Sequence, residues 1–250
     1  LEEGLPLHPL PEQRESVSQW RQIGLGIMGL ADALIKLGLT YGEEDAVSVC
    51  DRIGFVMADT AIAASARLAK ELGAFPKCKV EEIMETPYFL ANTTEGTKEL
   101  VRKYGLRNSQ LLTIAPTGTL STMLGISGGI EPIYANYYER KTESLHGEDV
   151  YYKVYTKIVK DFMEEHKVSD DRLLPDYFVT AMTLDYHQRI DMQSIWQRHI
   201  DASISSTVNV PSGFTVEETE NLYLYAFEQG LKGITIFRDG CKRVGILNTK

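Results

Sequence analysis

An α/β fold is predicted by three features of the sequence. Short β-branched runs alternate with helical patterns, the stretches joining successive runs are long enough to be helices, and the apolar content is that of a packed core. The runs are Leu111 to Ile114, Ile133 to Arg140, Ala202 to Val210 and Gly233 to Phe237. The 250 residues are 43% hydrophobic and 24% charged, which suits a globular domain large enough to bury a core. One domain is the simplest count.

The chain opens on Leu5-Pro6-Leu7-His8-Pro9-Leu10-Pro11, where prolines remove backbone donors, so residues 1–20 read as an extended arm or linker. Leu30, Leu34 and Leu37 then share a helical face before Gly38 ends it. From Glu43 to Leu72, Ala46, Val49, Cys50, Ile53, Val56, Met57, Ala61, Ala64 and Leu68 recur at three and four, which predicts one long amphipathic helix. Acidic Glu43, Glu44 and Asp45 suit its positive end, Lys70 and Gly73 its close, and the small residues from Ala61 to Ala66 predict tight packing on a sheet. Glu95 to Tyr104 offers a shorter helix. Leu111 to Ile114 has the bias of a buried strand, stopped by Pro116. After the strand at Ile133 to Arg140, Val154, Tyr155, Ile158, Val159, Phe162 and Met163 form a helical stripe. Met192, Ile195, Trp196 and His199 form another, capped by Asp191. Thr215 and Glu218 make a capping box for a helix running to Gln229, with Gly230 as its stop.

A net charge of −9 argues against nucleic acid as the main partner, because a phosphate-backbone binder needs a basic surface. No apolar run reaches the roughly 18 residues of a membrane span, and the amino end has neither a basic nor an apolar signal region, so the expected setting is cytoplasmic. The chain begins at Leu1 rather than Met and is expected to be a piece of something longer. Cys50, Cys78 and Cys241 lie far apart and form no CxxC, so reduced thiols are expected, with Cys50 a packing residue and Cys78 in a loop. His8, His146, His166, His187 and His199 show no metal-ligand spacing, and His199 falls at core-facing spacing.

Two stretches carry candidate chemistry. Gly24-Leu25-Gly26-Ile27-Met28-Gly29 fits GxGxxG and resembles the opening of hydroxyacid dehydrogenases that use NAD(P). That fingerprint needs a buried strand before its first glycine and an acidic strand end about 20 residues later. Here mostly polar Ser16 to Gln22 precede it and a helix follows, so the glycines are read as permitting close packing against neighbouring backbone. The second stretch, Thr117-Gly118-Thr119-Leu120-Ser121, sets one glycine among three hydroxyls just past a strand, so main-chain N–H groups can converge on an anion such as phosphate. An ordinary turn with Ser and Thr in local side-chain bonds has the same composition.

Several segments in one order resemble the large catalytic subunit of ribonucleotide reductases. They are Arg21-Gln22-Ile23-Gly24-Leu25-Gly26, Gly105-Leu106-Arg107-Asn108-Ser109, Ala115-Pro116-Thr117-Gly118-Thr119, Gly129-Ile130-Glu131-Pro132, His199 to Ser205, and Lys232 to Gly240, within a resemblance spanning about Arg21 to Asn248. The resemblance implies the carboxy-terminal half of a ten-stranded α/β barrel over residues 21–250. It implies substrate-phosphate binding by Pro116, Thr117, Gly118, Thr119, Leu120 and Ser121, and either support of the ribose or a structural turn for Gly129, Ile130, Glu131 and Pro132.

Family chemistry abstracts the ribose 3′ hydrogen with a cysteine thiyl radical, loses the 2′ hydroxyl as water and draws two electrons from a cysteine pair, a route to deoxyribonucleotides for DNA replication. The Asn-x-Cys-x-Glu stretch this needs is absent, so the resemblance puts the catalytic cysteine and glutamate in an amino-terminal portion outside this sequence and predicts that the segment alone is inactive. In relatives served by an iron-containing subunit, two adjacent tyrosines in the segment like Lys232 to Arg238 relay the radical. Thr235 and Ile236 stand there instead, which the resemblance ties to the adenosylcobalamin-dependent class. Implied partners are the ribonucleotide substrate, the amino-terminal half of the same enzyme, an external thiol reductant such as thioredoxin, and a second copy in a homodimer; no metal is expected on this segment. Competing readings are an NAD(P)-dependent dehydrogenase and a non-catalytic nucleotide-binding module.

Overall fold

The computed structural model describes residue 1, residues 3–142 and residues 150–241; His146 and the resemblance beyond residue 241 lie outside them. In chain order the helices are α1 (Pro11–Trp20), α2 (Leu30–Lys36), α3 (Glu44–Leu72), α4 (Val80–Met84), α5 (Pro87–Ala91), α6 (Glu95–Tyr104), α7 (Gly118–Leu124), α8 (Lys157–His166), α9 (Tyr186–His199) and α10 (Val216–Glu228). The strands are β1 (Tyr137–Thr142), β2 (Val150–Tyr155), β3 (Thr207–Val210) and β4 (Thr235–Arg238). The described residues form two compact units, one from residues 1–26, 48–114 and 194–204, the other from residues 27–47, 115–193 and 205–241. None of the described helices is long and apolar enough to cross a membrane.

The first unit is built on extended segments lying parallel, with Leu25 bridged to Leu112 and Ile114 to Ile204. Leu25 N–H donates to Leu111 O at 2.9 Å and Thr113 N–H returns the bond to Leu25 O at 3.0 Å. A Cβ at Gly26 would lie 2.2 Å from Thr113 O, and one at Gly24 2.4 Å from Thr113 Cγ2. The two glycines therefore exist to let one backbone lie against another. Asp201 closes the end of this pairing, its carboxylate accepting from the N–H groups of Leu111 and Leu112, both at 2.7 Å.

Residues 48–72 of α3 cover this unit with small side chains: Cys50, Ala58, Ala63, Ala66 and Ala69 are buried, together with Ile62. The larger aliphatics of the expected stripe, Ile53, Val56 and Leu68, are exposed. The correction has a simple cause: small residues let a helix approach closely, and the large ones occupy the adjacent face. Arg107 is buried and closes the helix end, donating through Nη1 to Leu72 O at 2.7 Å and Gly73 O at 3.0 Å. His199 is buried with both ring nitrogens partnered, Nδ1 facing Asn92 Oδ1 at 2.6 Å and Nε2 facing Asp51 Oδ1 at 2.9 Å. Gly54 allows this, since a Cβ there would meet His199 Cδ2 at 2.4 Å.

In the second unit, β1 and β2 pair antiparallel, while β3 and β4 pair parallel, with α10 as the connection between them. Ile190, Val208, Val210, Phe214, Leu222 and Ala226 form the core beneath that crossover. The expected capping box is present: Glu218 N–H donates to Thr215 Oγ1 at 3.1 Å and Thr215 N–H to Glu218 Oε2 at 2.6 Å.

Four local expectations are corrected. Residues 11–20 are helical rather than extended, because Pro11 takes the first helical position, where its missing donor costs nothing. Val154 and Tyr155 belong to β2, since a cross-strand partner overrides a period that both patterns share. Asp191 lies inside α9 and accepts from Tyr225 Oη at 2.6 Å; Asp185 serves the helix start instead, accepting from His187 N–H at 2.8 Å. The stretch after Pro116 is a helix start rather than an ordinary turn: Gly118 to Ser121 already belong to α7.

Candidate functional site

Thr117 takes a left-handed backbone, φ 51 and ψ 21, a conformation that costs a non-glycine residue roughly 1–2 kcal/mol. Two bonds hold it there. Its Oγ1 accepts from Gly129 N–H at 2.9 Å, and its carbonyl accepts from Ser121 N–H at 2.8 Å. Thr117 is thus the N-cap of α7, yet no side chain caps the helix. The N–H groups of Gly118, Thr119 and Leu120 open the first turn, where helical geometry provides no internal acceptor. Gly118, Thr119 and Leu120 are exposed, and a Cβ at Gly118 would meet nothing within 4 Å. What this arrangement offers an anion is main-chain amides beside the positive end of a helix.

The hydroxyls behave differently from one another. Ser121 is buried, and its Oγ turns back onto Gly118 O at 3.2 Å; Thr122 Oγ1 does the same at 2.8 Å. Thr117 spends its hydroxyl on Gly129. Of the three hydroxyls in the 117–121 stretch, Thr119 alone lies on an exposed residue.

Gly129 to Pro132 brace this turn. A Cβ at Gly128 would lie 2.9 Å from Pro116 O and 3.4 Å from Ser121 Oγ, so only glycine lets the two stretches touch. Gly129 has φ 46, and Glu131 N–H closes the turn on Gly128 O at 2.9 Å. Ile130 is buried and its carbonyl accepts from Tyr41 Oη at 2.7 Å; Glu131 Oε1 accepts from Thr207 N–H at 2.7 Å, and Pro132 is buried. Sequence reading missed Asp32, a buried carboxylate on α2 whose Oδ2 accepts from Ser127 N–H at 2.7 Å. The available signal was an acidic residue enclosed by apolar neighbours in Leu30-Ala31-Asp32-Ala33-Leu34. Gly128 and Tyr41 carried no comparable signal.

Burial pushes the Cys50 thiol up to about 11, and burial also raises Cys78. A cavity of about 730 Å³ in the first unit is lined by Trp20, Phe75, Cys78, Tyr88 and Asn108, and by none of residues 116–121. In β4, Thr235 is exposed opposite Thr207, and Ile236 packs against the core under α10. Among the described residues, no three His, Cys, Asp or Glu side chains cluster as a metal site would require.

Comparison with known proteins gives one consistent result. Residues 5–237 match the family model of the ribonucleotide reductase barrel domain. A vitamin B12-dependent ribonucleoside-diphosphate reductase of Mycobacterium tuberculosis is 31% identical over 257 residues, which is 97% of this chain and 34% of that protein. A ribonucleoside-diphosphate reductase subunit alpha of Chlamydia pneumoniae is 30% identical over 91% of this chain and 25% of its own length. Among solved structures, the alpha subunit of a class Id ribonucleotide reductase of Actinobacillus ureae superposes with a TM-score of 0.72 at 20% identity, over 96% of this chain and 44% of that one. The chain thus spans about a third or less of the curated relatives it matches.

Proposed function

We propose, for a chain that belongs to the family of ribonucleotide reductase barrel domains, that it supplies the substrate-phosphate seat of a ribonucleotide reductase catalytic subunit. The observation that carries this reading is the uncapped start of α7: a strained Thr117 aims a helix opening, with Gly118 presenting no side chain, at open space. The N–H groups of Gly118, Thr119 and Leu120 would hold the anionic tail, with the Thr119 hydroxyl as a further donor. The names of the relatives favour a nucleoside diphosphate as substrate. Residues 21–250 would form part of the catalytic barrel, with residues 1–20 leading into it.

On this reading the segment binds and orients while the chemistry comes from residues elsewhere in the enzyme. A thiyl radical removes the 3′ hydrogen, the 2′ hydroxyl leaves as water, and two thiols become a disulfide that an external thiol reductant such as thioredoxin restores. A fixed phosphate places the ribose relative to that sulfur, which is how binding energy remote from the reacting carbon serves the reaction. Adenosylcobalamin, when bound, would supply the radical that generates the thiyl. No residue of this chain is assigned to holding it; its support is Thr235 and Ile236, which cannot be oxidised as a tyrosine pair can, together with the B12-dependent relative.

The test is Gly118→Val in a full-length reductase carrying this segment. The added side chain enters free space, so folding changes by about 1 kcal/mol or less, while approach to the amides is obstructed and the KM for the nucleotide rises about tenfold. An unchanged KM in a folded variant removes the phosphate seat from this turn.

A further inference from the structure

Asp32 occupies a position that invites a functional reading. It lies on α2, buried, with its carboxylate turned to a main-chain N–H rather than to a cation: Oδ2 accepts from Ser127 N–H at 2.7 Å. The same peptide stretch is held from its other side, because Gly29 N–H donates to Ser127 O at 2.8 Å. Gly29 sits at φ 81, so the chain entering α2 is shaped to reach Ser127 with both the backbone and the Asp32 side chain. Ser127 is thereby gripped at its N–H and its C=O by one helix start.

What Ser127 holds is the underside of the candidate site. Gly128 follows directly and lies against Pro116 O, too close for a Cβ, and Gly129 N–H fixes the Thr117 hydroxyl at 2.9 Å. Ile126 N–H adds a bond to Ser121 O at 3.0 Å. A displacement of residues 127–129 would release Thr117 from a backbone conformation it does not favour, and the amides of Gly118 to Leu120 would turn with it.

We propose that Asp32 is a positioning residue for substrate phosphate: through Ser127 to Gly129 it locks Thr117 in its left-handed form and so aims the first-turn amides of α7. This rests on the phosphate seat proposed above. A carboxylate suits the task because a charged acceptor binds an amide more strongly than a neutral one and resists exchange for water when buried.

The experiment compares Asp32→Ala and Asp32→Asn with Gly118→Val in the full-length reductase, reading KM and kcat for a nucleoside diphosphate, competitive inhibition by inorganic pyrophosphate, and the thermal midpoint. Asp32→Ala is expected to raise KM and the pyrophosphate inhibition constant about tenfold, with kcat changed less than about threefold; Asp32→Asn, which keeps an oxygen acceptor in place, recovers most of the loss. A merely structural Asp32 would lower the midpoint and the active fraction, hence kcat per total protein, and leave KM untouched. If Asp32→Ala does not fold, Asp32→Ser, whose shorter side chain draws the acceptor back from Ser127 N–H, is measured in its place, and a wild-type KM there overturns the proposal. Gly118→Val separates the two readings. A raised KM there with a normal KM at Asp32 overturns the positioning role alone, and a normal KM at Gly118 overturns the seat and the positioning role with it.

Discussion

Cys50 illustrates how surroundings decide what a side chain can do. The thiol is fully buried on α3, and burial holds its pKa near 11, above the usual range, against a smaller opposing effect of the neighbouring Trp196. At pH 7.5 roughly one such thiol in three thousand is the reactive thiolate. Alkylation of Cys50 by iodoacetamide, followed by peptide mass mapping, is therefore expected to be negligible near neutral pH. Its rate should grow about tenfold per pH unit towards 11, because the raised pKa leaves the thiol protonated below that point. Fast labelling at pH 7.5 in the folded protein would contradict this. The helical spacing alone had put Cys50 on a packing face, and His199 was read as a satisfied core histidine for the same reason. At Ser121 the sequence left two readings open, an outward donor or a local side-chain bond, and could not choose between them. Its hydroxyl bonds back to Gly118 O, and whether a hydroxyl points in or out depends on contacts with Gly128 that no local pattern encodes.

At the scale of elements, glycine spacing was informative once judged by what precedes it. Gly24 and Gly26 lie in an extended segment against Thr113, and the φ of 81 at Gly29 starts α2, so the triplet serves backbone approach and a helix entry rather than a pyrophosphate. Gly26→Val is accordingly expected to separate Leu25 from Leu112 and destabilise the protein by about 3 kcal/mol or more, read as a lowered urea midpoint. Gly118→Val, with free space ahead of it, should leave that midpoint nearly unchanged. The contrast between two glycine substitutions of equal size is the useful control, since only one of them meets backbone. Caps and long periodic helices were legible, as α3, α6 and the Thr215–Glu218 box attest, because their signals are local. The turn at Thr117 was legible as a candidate anion site but not as a helix start: its cap is a strained threonine secured from Gly129, twelve residues away.

At the scale of the whole molecule, alternating runs foretold an α/β architecture, and the parallel pairing of β3 with β4 across α10 follows that pattern. The barrel itself was legible only through resemblance. Composition and period cannot specify strand closure, because closure depends on partners distant in sequence, and the chain spans about a third of the vitamin B12-dependent relative it matches. β4 has an exposed Thr235 and a packed Ile236 where the resemblance expects two tyrosines in relatives served by an iron-containing subunit, so under the proposed function such a relay would find no tyrosine pair at these two positions. A full-length reductase carrying this segment is therefore expected to show deoxyribonucleotide formation that rises with added adenosylcobalamin and stays near background without it, measured with no second subunit present. Changing Thr235 and Ile236 to tyrosines should leave that cobalamin requirement intact, because two rings without the rest of a relay and a radical-bearing partner have nothing to conduct. Turnover at full rate in cobalamin-free enzyme would mean that the radical reaches the thiol by a route that bypasses these two positions, and the cofactor assignment would fall while the phosphate seat at Thr117 stood or fell on its own test.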